Sequence, residues 1–175
     1  CSVLSCGKGT APLSIVDSPT VNGMPTLSLP IDMTVVTTVP PISIGSMNAS
    51  IVGFRFKGAT GLKTSALSPC EGIVTSVVKE STNTLDPFHG LFTVTISQSA
   101  QYETRIRMLD SATVNPGDYV RGGQIIGTTN GASGNLLQMD QRVEGREVCP
   151  YSFLDLRAKV LIGPKIIGKI PCPTT

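Results

Sequence analysis

From about residue 51 to 155 the chain carries a period of two. "GIVTSVVKES" and "GLFTVTISQS" alternate apolar with polar or small residues, as half-buried antiparallel strands do. "YETRIRML" continues the pattern with Tyr102, Thr104, Ile106 and Met108 on one expected face, and "GQIIGTT" and "NLLQMDQRVEG" add two further strands. The alternation therefore predicts a mostly β fold, an antiparallel sheet of about six strands. Turns are expected at Gly72, Gly90, Asn115-Pro116-Gly117 and Gly145. "PYSFLDLRA", Pro150 to Ala158, is the best candidate for a short helix, with Pro where a first helical turn tolerates it.

The first fifty residues are less regular. They read as brief extended pieces punctuated by Gly and Pro, with a hairpin-type turn at "NGMP", Asn22 to Pro25, and a strand break at Pro40-Pro41. "SPTVNGMP", "PPISIGSMNA" and, near the end of the chain, "KVLIGPKIIGKIPC" look like loose copies of one unit. Such copies suggest a small repeated β element built from both termini. The expected organisation is a Gly/Pro-rich β segment over 1–50, a β domain over 51–158, and a β tail over 159–175 that packs with the N-terminal segment.

Composition agrees with short strands and tight turns: 18 Gly and 13 Pro stand in 175 residues, and charged residues make up 15%. A net charge of +2 with scattered basic residues leaves no electrostatic footprint for nucleic acid or an anionic membrane. No apolar run reaches the length of a transmembrane segment, and no basic-then-apolar leader opens the chain. The five cysteines, Cys1, Cys6, Cys70, Cys149 and Cys172, show none of the paired spacings of a zinc site. Two disulfides with one free thiol, or five buried thiols, both fit. Cys1 followed by Ser2 is similar to the start of a mature bacterial lipoprotein, the alternative being a Cys that follows a removed initiator Met.

The order of landmarks in the middle block resembles the lysostaphin-like zinc metallopeptidases, also called LytM-type domains. "GIVTSVV" is a glycine before a strand, and "HGLFTVTISQSAQYETRIRML" holds a Tyr-bearing strand. "VNPGDYVRGGQIIG" is a hairpin of the form V-x-x-G-x-x-V-x-x-G-Q-x-I-G, and "GNLLQMDQRVEGREVCPYSFL" is a last strand with a Pro-rich exit. The likeness covers about half the chain. The hairpin alone also occurs in biotinyl and lipoyl carriers, but no lysine stands at a hairpin tip in a carrier setting.

What the resemblance implies for chemistry is a Zn²⁺ held by two His and one Asp, with further His beside it. Matched residue by residue, Leu62 and Ala66 stand where the first His and the Asp belong. Met108 stands where the Tyr-bearing strand would end in a catalytic His, and Leu136 and Gln138 replace the final His pair. Leu, Ala and Met offer Zn²⁺ no useful lone pair, and a neutral Gln is a poor ligand. The expectation is a non-catalytic relative without a cofactor. His89, the only histidine, falls off every ligand position and reads as a loop or rim residue. Asp110, Asp118, Asp140 and Glu144 are spaced like turn and surface charges.

The termini resemble PAAR-like proteins, which sharpen the tips of contractile tails and type VI secretion spikes. The likeness rests on "CGKGTAP", Cys6 to Pro12, on "NGMP", and on the Pro-rich return to "SIG". It implies a compact cone of Gly-turned strands, with a metal at Cys1, Cys6 and Cys172 or a disulfide among them. Together the resemblances imply a non-catalytic structural part of a phage tail, baseplate hub or injection spike tip, in contact with other tail proteins. The alternative is a module of the cell envelope or periplasm that docks peptidoglycan or activates a separate hydrolase.

Overall fold

A computed structural model describes residues 20–21, 24–43, 51–80 and 89–168 of the chain. The strands are β1 (Thr20–Val21), β2 (Met24–Pro25), β3 (Val36–Thr38), β4 (Pro41–Ser43), β5 (Ile51–Gly58), β6 (Ser65–Leu67) and β7 (Gly72–Lys79). They continue with β8 (Phe92–Ser97), β9 (Tyr102–Ala112), β10 (Tyr119–Val120), β11 (Ile125–Thr129), β12 (Asn135–Val143) and β13 (Arg146–Val148), followed by one helix, α1 (Leu156–Ile162). β1 and β2 pair with each other, and the other eleven form one sheet.

The main path of that sheet runs β10-β7-β8-β9-β12-β5-β3, and every ladder in it is antiparallel. β12 and β9 are shared strands. β12 pairs with β5 through Asn135–Asp140 and with β13 through Gln141–Val143, while β9 runs along its other side. β9 pairs with β12 up to Arg107, and beyond that point with β11, which in turn holds β6. The mostly antiparallel β fold expected from the alternation is the fold observed, with more strands than the clearest repeats marked.

One face of the sheet is a closed apolar layer. Phe54 and Phe56 of β5, Val94 and Ile96 of β8, Ile106 of β9, and Leu137 and Met139 of β12 are buried in a single cluster. Each such side chain contributes about 1.5–3 kcal/mol on leaving water. In β9 the period of two is broken. Between Ile106 and Leu109 the register of β9 against β8 slips by one residue, and Met108 takes a left-handed φ of 69°. Leu109 therefore joins the apolar cluster in place of Met108. The expected shared face of Tyr102, Thr104, Ile106 and Met108 is corrected at its last member, because a bulge resets the alternation.

Turn chemistry follows the sequence closely at two sites. Glu144 and Gly145, both with positive φ, join β12 to β13, the backbone a two-residue hairpin requires. Gly117 (φ 95°) follows Pro116 in the turn closed by Asp118 N–H to the Asn115 carbonyl, as a type II turn demands.

The expected helix over Pro150 to Ala158 is divided. A 3-10 turn covers Pro150–Phe153, and α1 starts only at Leu156. Between them Leu154 stays extended because it bridges Leu27, whose N–H donates to the Phe153 carbonyl and whose carbonyl accepts from Asp155 N–H. The Asp155 carboxylate then caps α1 by accepting from Ala158 N–H at 2.6 Å. The stretch from Lys159, expected as extended, accordingly begins inside α1.

The chain beyond α1 lies against residues 33–39. Lys165 Nζ donates to the Met33 and Val36 carbonyls, and Val39 N–H donates to the Lys165 carbonyl. β3 and β4 pair with β5 inside the main sheet. The proposed PAAR-like stretch Cys6 to Pro12, the metal or disulfide grouping of Cys1, Cys6 and Cys172, and the "SIG" return from Ile44 lie outside the described residues.

Candidate functional site

The second face of the same strands is polar and charged. On β12, Gln138 lies across from Arg55 of β5 and Arg107 of β9, and Asp140 lies across from Gly53 and Arg105. Gln138 and Asp140 are only 4% and 2% exposed. Gln138 Nε2 donates to Asp140 Oδ1 at 2.8 Å. Asp140 Oδ2 accepts from Arg105 Nη2 at 3.2 Å and lies 3.7 Å from Arg107. Arg105 also donates to Glu147 at 2.5 Å, and Arg107 lies 3.6 Å from Glu80, which accepts from Thr93. The charges run in a line, Glu80, Arg107, Asp140, Arg105, Glu147, with neighbours of opposite sign.

Burial dominates at Asp140 and pushes its carboxyl above the ordinary value of 3.8, against the lowering effects of Gln138, Arg105 and Arg107. Gly53 makes room for this carboxylate, since a methyl at that position would overlap Asp140 Oδ1 and approach the Met139 carbonyl to 2.9 Å. Gln138 Oε1 and Arg55 Nε are buried without a hydrogen-bond partner among the described groups. The arrangement brings together acids and bases of opposite sign, and its one hydroxyl–carboxylate contact among the described residues, Thr93 to Glu80, involves a carboxylate that also lies 3.6 Å from Arg107.

The positions matched to the zinc site separate into two environments. Ala66, in β6 opposite Gly127, and Leu136, at the start of β12, are fully buried in the apolar cluster, and Leu62 packs against it. Gln138 belongs to the charged face. Met108 is buried at the β9 bulge, outside the apolar cluster. His89 is exposed in the turn before β8.

Asp118 accepts from Asn115 N–H in its turn, Asp110 forms an exposed pair with Lys63 at 2.6 Å, and Glu144 sits in the β12–β13 turn. Those three are turn and surface charges as expected. Asp140 is not: it lies mid-strand and buried. The signal for it was available, because Gln138, Asp140 and Arg142 alternate with the apolar Leu137 and Met139, and Arg105 and Arg107 alternate with Ile106.

Cys70 is a free, buried thiol whose pKa burial pushes up to about 12, which leaves it protonated and unreactive. Cys149 is disulfide-bonded, so the reading of five reduced thiols is set aside. Among the described residues no three His, Cys, Asp or Glu side chains are grouped to hold a metal ion, and no helix is long and apolar enough to cross a membrane.

No family model and no curated protein matches the sequence. Solved structures do match. A chain of the SpoIIQ-SpoIIIAH pore-forming complex superposes with a TM-score of 0.59 at 21% identity, over 74% of this chain and 91% of that one. The M23 metalloprotease pseudoalterin, from the deep sea, gives 0.53 at 14% identity, over 74% and 78%. The catalytic domain of the prophage-encoded M23 protein EnpA from Enterococcus faecalis gives 0.52 at 19% identity, over 71% and 95%. At these identities the likeness is one of fold: the chain has the lysostaphin-like, M23-type β fold.

Proposed function

We propose that this chain is a non-catalytic module of lysostaphin-like fold that works by docking to other proteins at the cell envelope. The observation that carries this reading is the state of the sheet face around Gln138. Its buried carboxylate, Asp140, is held between Arg105 and Arg107, and the residues matched by sequence order to the zinc-ligand places are Leu62, Ala66, Leu136 and Gln138, with Met108 matched to a catalytic His. None of these can hold and activate a metal-bound water. The fold likeness to a chain of a pore-forming protein complex supports docking as the use to which such a domain is put.

A second reading places the same non-catalytic module in a phage tail, baseplate hub or injection spike tip. The likeness to a prophage-encoded M23 domain favours it. Both readings make the same first demand. Purified chain with added Zn²⁺ should release no fragments from peptidoglycan or from short Gly- and Ala-containing cross-bridge peptides. Metal-dependent cleavage abolished by a chelator would overturn the proposal. Recovery of the chain with envelope fractions, as against purified tails, separates the two settings.

A further inference from the structure

Four of the seven large apolar side chains that stand exposed among the described residues lie within α1 and the turn after it: Leu156 (79%), Val160 (65%), Leu161 (42%) and Ile167 (57%). The helix geometry orders its face. Successive residues advance by about 100°, so Leu156 and Val160 share an outward ridge, Arg157 and Leu161 follow on its flank, and Ala158 turns into the protein, where it is buried.

The flank opens on a hollow of about 340 Å³ lined by Leu29, Ile31, Met33, Ala158 and Leu161, with Asp32 and Arg157 also on its wall. Both of these charged residues are exposed, and neither forms an ion pair within 4 Å among the described residues, although Lys165 adds a small lowering effect at the Asp32 carboxyl. Asp155, the cap of α1, also lines the hollow, so an apolar ridge, an apolar hollow and charges of both signs stand side by side on a single face.

We propose that this face is a two-fold interface between two copies of the chain. A two-fold contact requires a self-complementary surface, in which residue i of one copy meets j of the other and j meets i. Here the Leu156–Val160 ridge of one copy enters the Leu29–Ile31–Met33 hollow of the other, and Arg157 meets Asp32 twice. A partner with a wholly acidic, basic or apolar surface would leave one of the two charges unmatched. The contact rests on one short helix and residues 29–33, so we place the dimer in the weak, exchanging class. The inference is independent of what the charged sheet face does.

Sedimentation equilibrium of the full chain over the micromolar range tests it. The expected result is a monomer–dimer equilibrium that Arg157→Asp and Asp32→Arg each weaken about tenfold or more, and that the double variant Arg157→Asp/Asp32→Arg restores. Val160→Glu should abolish the dimer, with circular dichroism verifying that the fold is kept. Because Asp32 also accepts from Thr34 N–H, Arg157→Glu with Asp32→Lys provides a second charge exchange should the first pair misfold. A monomer at every concentration overturns the proposal. So does a dimer indifferent to these changes, or a monomer whose ridge instead inserts into phosphatidylglycerol vesicles.

Discussion

The two faces of the central sheet are built from the same strands and have opposite chemistry. On β12, Leu137 and Met139 go to the apolar side, and Gln138 and Asp140 to the charged side. β9 divides in the same way, with Ile106 against Arg105 and Arg107, and β5 with Phe54 and Phe56 against Arg55. The apolar face gains from contact with anything apolar of suitable shape. The charged face depends on particular pairings, since a buried charge stripped of its partner is costly. A fold held by one face leaves the other free to change its chemistry.

The comparison is broken most severely from the apolar side. Phe54→Ala should lower the stability to unfolding by about 3–5 kcal/mol, through lost transfer energy and a cavity, measured by urea denaturation. On the charged side, Asp140→Ala should cost about 3 kcal/mol by taking an acceptor from Arg105 Nη2 and from Gln138 Nε2. Asp140→Asn should cost less, because it retains an acceptor for Gln138.

The pH dependence sharpens the contrast. Asp140 has a raised folded-state pKa, so it binds its proton more readily folded than unfolded. Its contribution to stability is complete below the ordinary value of 3.8 and is lost as pH rises through the folded value. Asp32, held down by Thr34, acts in the opposite sense, contributing above 3.8 and losing its effect as pH falls. Denaturation of Asp140→Asn across the acid range should show the wild-type decline above 3.8 reduced; an unchanged slope would place its origin elsewhere.

Gly53→Ala joins the two faces in one change. Its methyl would press on the Asp140 carboxylate and the Met139 carbonyl, and overpacking of this kind costs about 1–3 kcal/mol. In the Gly53→Ala/Asp140→Ala double variant the two losses should fall short of additive. The smallest effect belongs to Arg142→Ala. Arg142 and Glu103 are each about a third exposed and 3.7 Å apart, and such a pair contributes about 0–1 kcal/mol. A loss above that range would mean that Arg142 supports the buried line of charges.

Alternation in "NLLQMDQRV" and "FTVTIS" was legible as strand because a period of two requires only local chemistry. "NPGD" and "EG" were legible as turns for the same reason. What escaped was non-local. The Met108 bulge arises from three strands sharing β9, the break at Leu154 from a bridge to Leu27, and the burial of Asp140 from arginines on a neighbouring strand and a glycine on another. The exposed ridge of α1 was likewise hidden, since the helix was expected to end at Ala158 and the chain from Lys159 to be extended, whereas α1 runs through Ile162.

The sequence by itself determined the fold class and the places of the longer strands and turns, because periodicity and backbone freedom belong to individual residues. Only the tertiary structure decided that one sheet face closes as a matched line of charges, that Cys70 is shielded while Cys149 is bonded, and that an apolar ridge stands beside a hollow. Each of those depends on which distant segment lies alongside, and therefore on where water is excluded.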